Sequence, residues 1–566
     1  MRKCAFLAVI LILTAGGISS ARPGAQTAPA GVPPIQAPLH PDVARLLRLQ
    51  GSLLPGAIVA GTHDAVRLTA ASAPMQAEAL PAYYDLRALN KMTPVRNEGV
   101  LGGSTVFAAL ASLESSLKPS EVWDFSEQHL RAGLLGTVSL DAVVGALARW
   151  TDPIRESDDP WPAAIRDDSA VKHVQNVAYF PPRTAALDND RLKQAVMDYG
   201  AIWADMVFTA AAYNAPQAAY LNTGTEGETR AVAIAGWDDS FDRAKFSPPA
   251  PGNGAFLCKN SLGSAWGSGG YFYVSYYDAF LARRYFSAAF TAEPKAGYTV
   301  QYAYDPNGCT SRLGFDADAG WFASQFVASS ADPLAAVGFY AFTAAGTYEI
   351  LIYKDAVPGR PRSGSLALRQ TGSFSTPGFM TIPLTTSLPL LLNQRFSVVV
   401  RLQTDGDEFP IPLEHPIADM TAAFTANPGE GFISPDGAVW TDLTAADGTK
   451  YARTSLCLKA YAGYPAAYPP AELKVERLTN NFFFFKEYVD KLTWLANPKN
   501  TAAVSKYRIY RRAQADTDAA FALLGETIST QLIFFVRAVK KDDAFVYRVT
   551  AVLADGRESD PAEFSI

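Results

Sequence analysis

The spacing of apolar residues divides the chain before any chemistry is considered. From Val106 the apolar positions Val106, Phe107, Leu110, Leu113 and Leu117 recur three and four apart, the period of one helix face. Pro119 ends the run, and the glycine-rich turn Gly99-Val100-Leu101-Gly102-Gly103 precedes it. Residues 192–199 read as a second helix before Gly200, and residues 202–208 as a strand. Residues 231–239 and 255–259 continue the strand-rich second half of this region. From about residue 295 to 465 short strands alternate with Gly, Pro and Asp, for example over 335–342, 347–353 and 395–401, the pattern of an antiparallel sandwich. Gly431 to Gly437, followed by Trp440, reads as a tight turn between two strands. Residues 471–566 repeat the strand pattern: 507–512 alternates in and out, Trp494 is placed for a buried core, Tyr547 for a tyrosine corner, and Asp555-Gly556 for a hairpin turn.

The N-terminus differs from all of this. Met1-Arg2-Lys3 is basic, residues 5–15 are apolar, and Ser19-Ser20-Ala21 offers small residues for cleavage. That is the form of a secretory signal, too short to span a bilayer. Residues 22–79 are rich in Ala, Pro and Gly and read as a linker or short pro-segment, with a short helix over 43–54 and an extended arm over 56–71. No later run reaches a membrane-spanning length, so no membrane span is expected once the signal is removed.

Composition adds bounds. A chain of 566 residues with 49% hydrophobic and 18% charged residues has material for three or four folded domains. A net charge of -6 supplies no basic footprint for nucleic acid. Of the four cysteines, Cys4 lies in the signal; Cys258, Cys309 and Cys457 remain. Cys309 and Cys457 fall near the two ends of one candidate domain, and an exported chain permits a disulfide between them; buried free thiols are equally compatible. No Cys/His pair has zinc-site spacing, and the acidic loop Asp405-Gly406-Asp407-Glu408 lacks a full calcium-ligand pattern. Neither metal nor cofactor is expected.

Five segments then carry a resemblance. They are Leu80-Pro81-Ala82-Tyr83-Tyr84-Asp85-Leu86-Arg87, the helix around Ser104, Phe125-Ser126-Glu127-Gln128-His129-Leu130, Ala231-Val232-Ala233-Ile234-Ala235-Gly236-Trp237-Asp238-Asp239, and Lys259-Asn260-Ser261-Leu262-Gly263-Ser264-Ala265-Trp266-Gly267. In order and distance they resemble the papain-like cysteine peptidases of the bacterial secreted type. Residues 147–150 and 153–161 match a further stretch of that family. The resemblance implies a signal peptide (1–21), a linker or pro-segment (22–79), a papain-like domain with a helical and a β half (80–293), a lectin-like β-sandwich (294–466) and a fibronectin type III-like β-sandwich (467–566). The fold class is therefore multidomain, α+β followed by all-β.

The chemistry at the matching positions is altered. A peptidase of this type needs a cysteine nucleophile, a histidine base, an Asn or Asp to orient it, and a glutamine with backbone N–H groups for the oxyanion. The nucleophile position holds Ser104, the histidine position Arg230, the oxyanion position Glu98; Asn260 keeps the orienting position. Arg230 and Asn260 lie 126 and 156 residues beyond Ser104, near the ~130–150 expected. Serine is a weak nucleophile without a base. A guanidinium stays protonated below a pH of about 12. An ionised Glu98 accepts hydrogen bonds where the oxyanion needs donors. Leu101 replaces a cysteine and Leu262 a tryptophan of the family pattern, and Thr137 and Val138 stand where paired glycines would approach substrate backbone. None of the five histidines lies beside Ala231, and His129 reads as a surface or capping residue.

These substitutions lead to three readings: a papain-fold pseudopeptidase that binds peptide, protein or glycan ligands; a hydrolase with a non-standard Ser104 site; or a surface adhesion or assembly protein in which the papain-like domain is scaffold. An exported location, extracellular, periplasmic or cell-surface, goes with all three. A Glu98–Arg230 ion pair across Ser104 is the expected structural use of the paired swap. In the β-domains, Trp321, Phe339, Tyr340 and Trp440 are expected in cores, and the run Phe482 to Phe485 against a neighbouring domain.

Overall fold

The structure, a computed structural model, describes residues 34–37, 80–134, 138–162, 170–294, 297–417, 425–463, 467–482, 484–498, 500, 503–515, 521–554, 556–559 and 561–566. The signal segment, the expected helix at 43–54, the arm at 56–71 and Thr137 lie outside the described residues. Two compact units emerge, one from residues 1–293 with 300–462, the other from 294–299 with 463–566.

The first unit is built on the helix Ser104–Leu117. Residues 104 to 115 are all buried, because apart from Glu114 apolar and small side chains occupy every side of it, as a helix enclosed by its own domain requires. It ends where Lys118 turns extended ahead of Pro119. Three of its polar groups face into the sheet behind it. Trp203 Nε1 donates to the Thr105 carbonyl at 3.2 Å, Ser115 Oγ accepts Ala201 N at 2.9 Å, and Ser112 Oγ accepts Phe290 N at 3.4 Å. Ser126 caps the next helix, Glu127–Ala132, accepting His129 N at 3.0 Å, as Ser139 caps Leu140–Ala148 through Ala142 N at 3.1 Å.

Strands Ile202–Phe208, Glu228–Asp238, Ala255–Lys259 and Tyr271–Ser275 lie side by side, antiparallel, with Asp205 opposite Ala231 and Ile234 opposite Cys258. Leu86, Ile202, Ile234, Trp237, Phe256 and Phe272 fill the core around them. This sheet does not stop at the end of the papain-like region. Strand Lys172–Phe180 pairs with Gly378–Leu388, Ala178 opposite Gly378 and Val177 opposite Phe379, so a 13-stranded sheet runs on through Leu334–Ala341 and Leu458–Ala462. The joint is tight. Gly378 has φ +136°, and a Cβ there would sit 1.8 Å from the Val177 carbonyl, so only glycine allows the two strands to meet.

Facing the far half of that sheet is a six-stranded one: Ser365–Phe374, Gly346–Lys354, Arg395–Thr404, Ala319–Val327, Gly431–Ser434 and Thr441–Asp442. The two-residue period of a strand sorts its side chains. Val398, Val400 and Leu402 enter the main core with Val337, Phe339 and Ile350, while Val399 turns to the opposite face with Trp321, Leu351, Tyr353 and Trp440. Trp321, Phe339 and Tyr340 are buried and Trp440 partly so, which removes them as an exposed aromatic platform. A small third sheet holds Ile35–Gln36, Ser311–Gly314, Ile411–Glu414 and Ser455–Leu456.

The second unit sets a three-stranded sheet (Ala471–Asn481, Lys486–Leu495, Ile533–Val539) beside a four-stranded one (Ala522–Ile528, Val504–Ala513, Phe545–Leu553, Ala562–Ser565). Trp494, Tyr507, Ile509, Tyr547 and Val549 share their core. One expectation needs correction here. The Tyr547 hydroxyl donates not to backbone but to Asp490 Oδ2 at 2.6 Å, because Arg477 holds that carboxylate buried beside it. Phe482, Phe484 and Phe485 lie at the hairpin between Ala471–Asn481 and Lys486–Leu495, outside the core of this unit.

Candidate functional site

Each of the four matching positions reaches the site from a different element. Gly103, at φ 127°, precedes the first residue of the Ser104 helix. That positive φ swings the glycine turn out of line and leaves Ser104 buried at the helix N-terminus. Ser104 Oγ accepts a hydrogen bond from Ala231 N at 3.1 Å, which ties the helix mouth to the strand Glu228–Asp238. Arg230 is the residue before that amide. Glu98 comes from the opposite side, just before the 3-10 turn Gly99–Leu101. Its segment is pinned to the Asn260 loop: Glu98 N donates to the Ser261 carbonyl at 2.8 Å, and Asn97 bridges Leu262.

Glu98 Oε1 and Arg230 Nη2 are in direct contact. Their side chains are 3% and 10% exposed, so this is a buried pair. Arg230 Nη1 reaches Glu228 Oε1 at 3.1 Å, a carboxylate on the rim. Burial presses the Arg230 guanidinium below its ordinary value, and the two carboxylates answer that cost with charge. Among the described residues, Glu98 Oε2 and Arg230 Nε have no partner, and Ser104 Oγ makes no hydrogen bond to either charged group.

Asn260 is present but turned to other work. Its Oδ1 accepts the Ser261 amide at 2.8 Å, its backbone N donates to the Gly270 carbonyl at 3.0 Å, and no hydrogen bond links it to Arg230. The four residues thus meet as two sets: Glu98 and Arg230, joined by Glu228, as an ion-pair cluster next to the amide that holds Ser104; and Asn260 holding its own loop.

Behind Asn260 lies a cavity with room for about one water molecule. Glu114, Glu127, Lys259 and Arg96 line it together with Asn260 and Ser261. Glu114 accepts Thr93 Oγ1 at 2.5 Å and Phe125 N at 2.9 Å, and Lys259 Nζ donates to Thr93 Oγ1 at 3.1 Å. Burial raises the Glu114 carboxyl and lowers Lys259. Glu127 is pushed up to about 8 by burial, then by the charges of Glu114 and Glu156. Sequence reasoning passed over this layer. Glu127 and Lys259 sit inside quoted motifs, and their fixed place there was the available signal; Glu114 on a helix gave none.

His129 corrects the sequence expectation. Its ring is buried, and Nδ1 lies 2.7 Å from Asp152 Oδ1, because its helix face packs inward against the 149–153 turn. In the β-region, Asp407 of the acidic loop is committed to Arg312 at 2.5 Å. Cys309 and Cys457 are free and buried; Cys309 Sγ donates to the Ser311 carbonyl at 3.2 Å, and burial raises the Cys457 thiol well above its ordinary value.

The architecture described here has relatives. A crystal structure of the cysteine protease and lectin-like domains of Cwp84, a surface layer associated protein of Clostridium difficile, superposes with a TM-score of 0.64 at 20% identity, over 76% of this chain and 98% of that one. A second structure of this clostridial cysteine protease, after propeptide cleavage, gives 0.60 at 23% identity, over 68% and 99%. The fold is a papain-like protease fold joined to a lectin-like domain. The family model of the lectin like domain matches residues 301–462. In sequence, the viral cathepsin of Choristoneura fumiferana nuclear polyhedrosis virus is 29% identical over 206 residues, 34% of this chain and 59% of that protein. The viral cathepsin of Heliothis zea nuclear polyhedrosis virus is 42% identical over 53 residues, 9% of this chain and 14% of that one. The chain thus spans less than two thirds of the length of these viral relatives. No helix among the described residues is long and apolar enough to cross a membrane.

Proposed function

We propose that the protein is an exported papain-fold pseudopeptidase that binds protein or glycan ligands and does not cleave peptide bonds. The observation that carries this reading is the buried Glu98–Arg230 contact, at the residue before the amide that bonds Ser104. A guanidinium occupies the base position and keeps its proton. A carboxylate occupies the oxyanion position, where loss of one donor already costs about 10²–10³ in rate. The Ser104 oxygen is engaged by a backbone amide, and among the described residues no base is hydrogen-bonded to it. The lectin-like domain supports glycan binding by analogy of fold. The surface-layer association of Cwp84 supports an exported location. The C-terminal unit fits the fibronectin type III class by its three- and four-stranded sheets and its Trp494–Tyr507 core contact at 5.5 Å.

Purified protein should show no turnover of denatured casein or fluorogenic peptides, and Ser104→Ala should leave that baseline unchanged. Turnover that disappears in Ser104→Ala establishes the rival Ser104 hydrolase. A glycan array probed with the full chain tests the binding half of the proposal; protein and sugar ligands both failing to bind would favour a purely architectural role.

A further inference from the structure

The small sheet of the lectin-like domain has an unusual outermost member. Ile35–Gln36 lies antiparallel along Ser311–Gly314, with Ile35 opposite Gly314 and Gln36 opposite Leu313. Ala37 N donates to the Arg312 carbonyl at 2.8 Å, and Gln36 Nε2 donates to Ser311 Oγ at 2.8 Å. The other side of Ser311–Gly314 is taken by Ile411–Glu414. The segment 34–37 therefore sits on what is otherwise a free strand edge, the feature that accepts added strands from other chains.

The edge is built to receive a strand. Leu313 is fully buried, and Ser311 and Arg312 nearly so. Arg312 is anchored by Asp407 at 2.5 Å, and a Cβ on Gly314 would overlap the Glu408 carbonyl. The template is thus held by Ile411–Glu414 and by Asp407, neither of which belongs to the added strand. The added strand, in contrast, is two residues long. In the sequence Pro34 precedes it and Pro38 follows, and a proline has no N–H with which to lengthen a ladder. Residues 38–79 join it to the body at Leu80. At about 3.3 Å per residue that connection reaches up to roughly 140 Å, so it does not oblige the strand to pair within its own chain. The same four residues from another molecule satisfy every contact named, the condition for exchange of an element between identical chains.

We propose that the outer edge of Ser311–Gly314 is a strand-addition site, and that at high local concentration it takes Pro34–Ala37 of a second copy, giving a reciprocal arm-exchanged dimer. Within one chain the tether supplies a high effective concentration, so the closed monomer prevails in dilute solution and exchange belongs to crowded conditions.

Sedimentation velocity of the full chain, from low micromolar to near-millimolar concentration, tests this. The expected result is a reversible monomer–dimer shift. Ala37→Pro deletes the N–H given to Arg312 in the closed monomer and in the dimer alike, so it should leave their ratio within about twofold while raising the affinity of the edge for an added strand about fivefold, the loss of one backbone hydrogen bond from the competing arm. Ser311→Ala weakens arm and added strand alike through Gln36 and should change neither quantity by more than about twofold, and a synthetic peptide of residues 31–40 should dissociate the wild-type dimer. Circular dichroism of both variants verifies that the fold is kept. A chain that stays monomeric throughout, a dimer untouched by the peptide, or an Ala37→Pro chain that binds the peptide no better than wild type overturns the proposal.

Discussion

Replacing Arg230 by methionine tests whether the cleft is held shut by charge. Methionine matches the length of the arginine stem and removes only the cation. Glu98, whose side chain is 3% exposed, would then keep an unpaired carboxylate beneath the surface. Its Oε1 has lost its partner and its Oε2 has none among the described residues. Breaking one side of a buried pair costs about 3–5 kcal/mol. Replacing both residues, Glu98→Gln with Arg230→Met, removes both charges and should be close to neutral, so the two substitutions couple by about 3 kcal/mol. Glu228→Gln removes the second carboxylate, which is 66% exposed, and should cost no more than about 1 kcal/mol. The assay is urea unfolding of the full chain, comparing midpoints at unchanged slope. The reasoning is refuted if the two substitutions add to within about 0.5 kcal/mol, as independent sites do, or if Arg230→Met costs no more than Glu228→Gln.

Three further outcomes are expected. Ser104→Cys alone should give no peptidase, because no base stands beside it; Ser104→Cys with Arg230→His should give measurable turnover of a fluorogenic peptide, and Glu98→Gln on that background should raise it about 10²-fold by restoring an oxyanion donor. The folded-state value of about 8 for Glu127 lies above the ordinary 4.5, so the folded protein holds that proton more tightly and stability falls as pH rises from about 4.5 to 8. Glu127→Gln should flatten this slope in thermal melts and raise stability most at the alkaline end; an unchanged slope would place the proton elsewhere. Gly378→Ala sets a Cβ 1.8 Å from the Val177 carbonyl and should cost several kcal/mol, read as a lowered melting temperature and faster proteolysis near residue 378.

The helix around Ser104 was legible because its signals are local: apolar spacing, a glycine turn before it and a proline after. Glu98, Arg230 and Asn260 came into view only through flanking motifs, since nothing in the intrinsic chemistry of an arginine singles it out. The layer of Glu114, Glu127 and Lys259 was missed for the opposite reason. Charged residues in a linear pattern look solvated, and their burial is decided by segments more than 100 residues apart. His129 was misjudged on the same ground: its partner Asp152 declares itself only once the 149–153 turn folds back.

By itself, the sequence determined the helix at Ser104, the strands of the β-regions, the succession of a papain-like and a lectin-like region, and which side chains stand at residues 98, 104, 230 and 260, because these follow from period, punctuation, motif order and side-chain chemistry. Only the tertiary structure decided how those groups are used. It closed Glu98 onto Arg230, gave the Ser104 oxygen to the Ala231 amide and turned Asn260 toward Ser261, and it ran one sheet through both the papain-like and lectin-like regions at Gly378. Each of these depends on backbone from distant parts of the chain arriving within hydrogen-bonding reach, a distance that no local pattern of residues encodes.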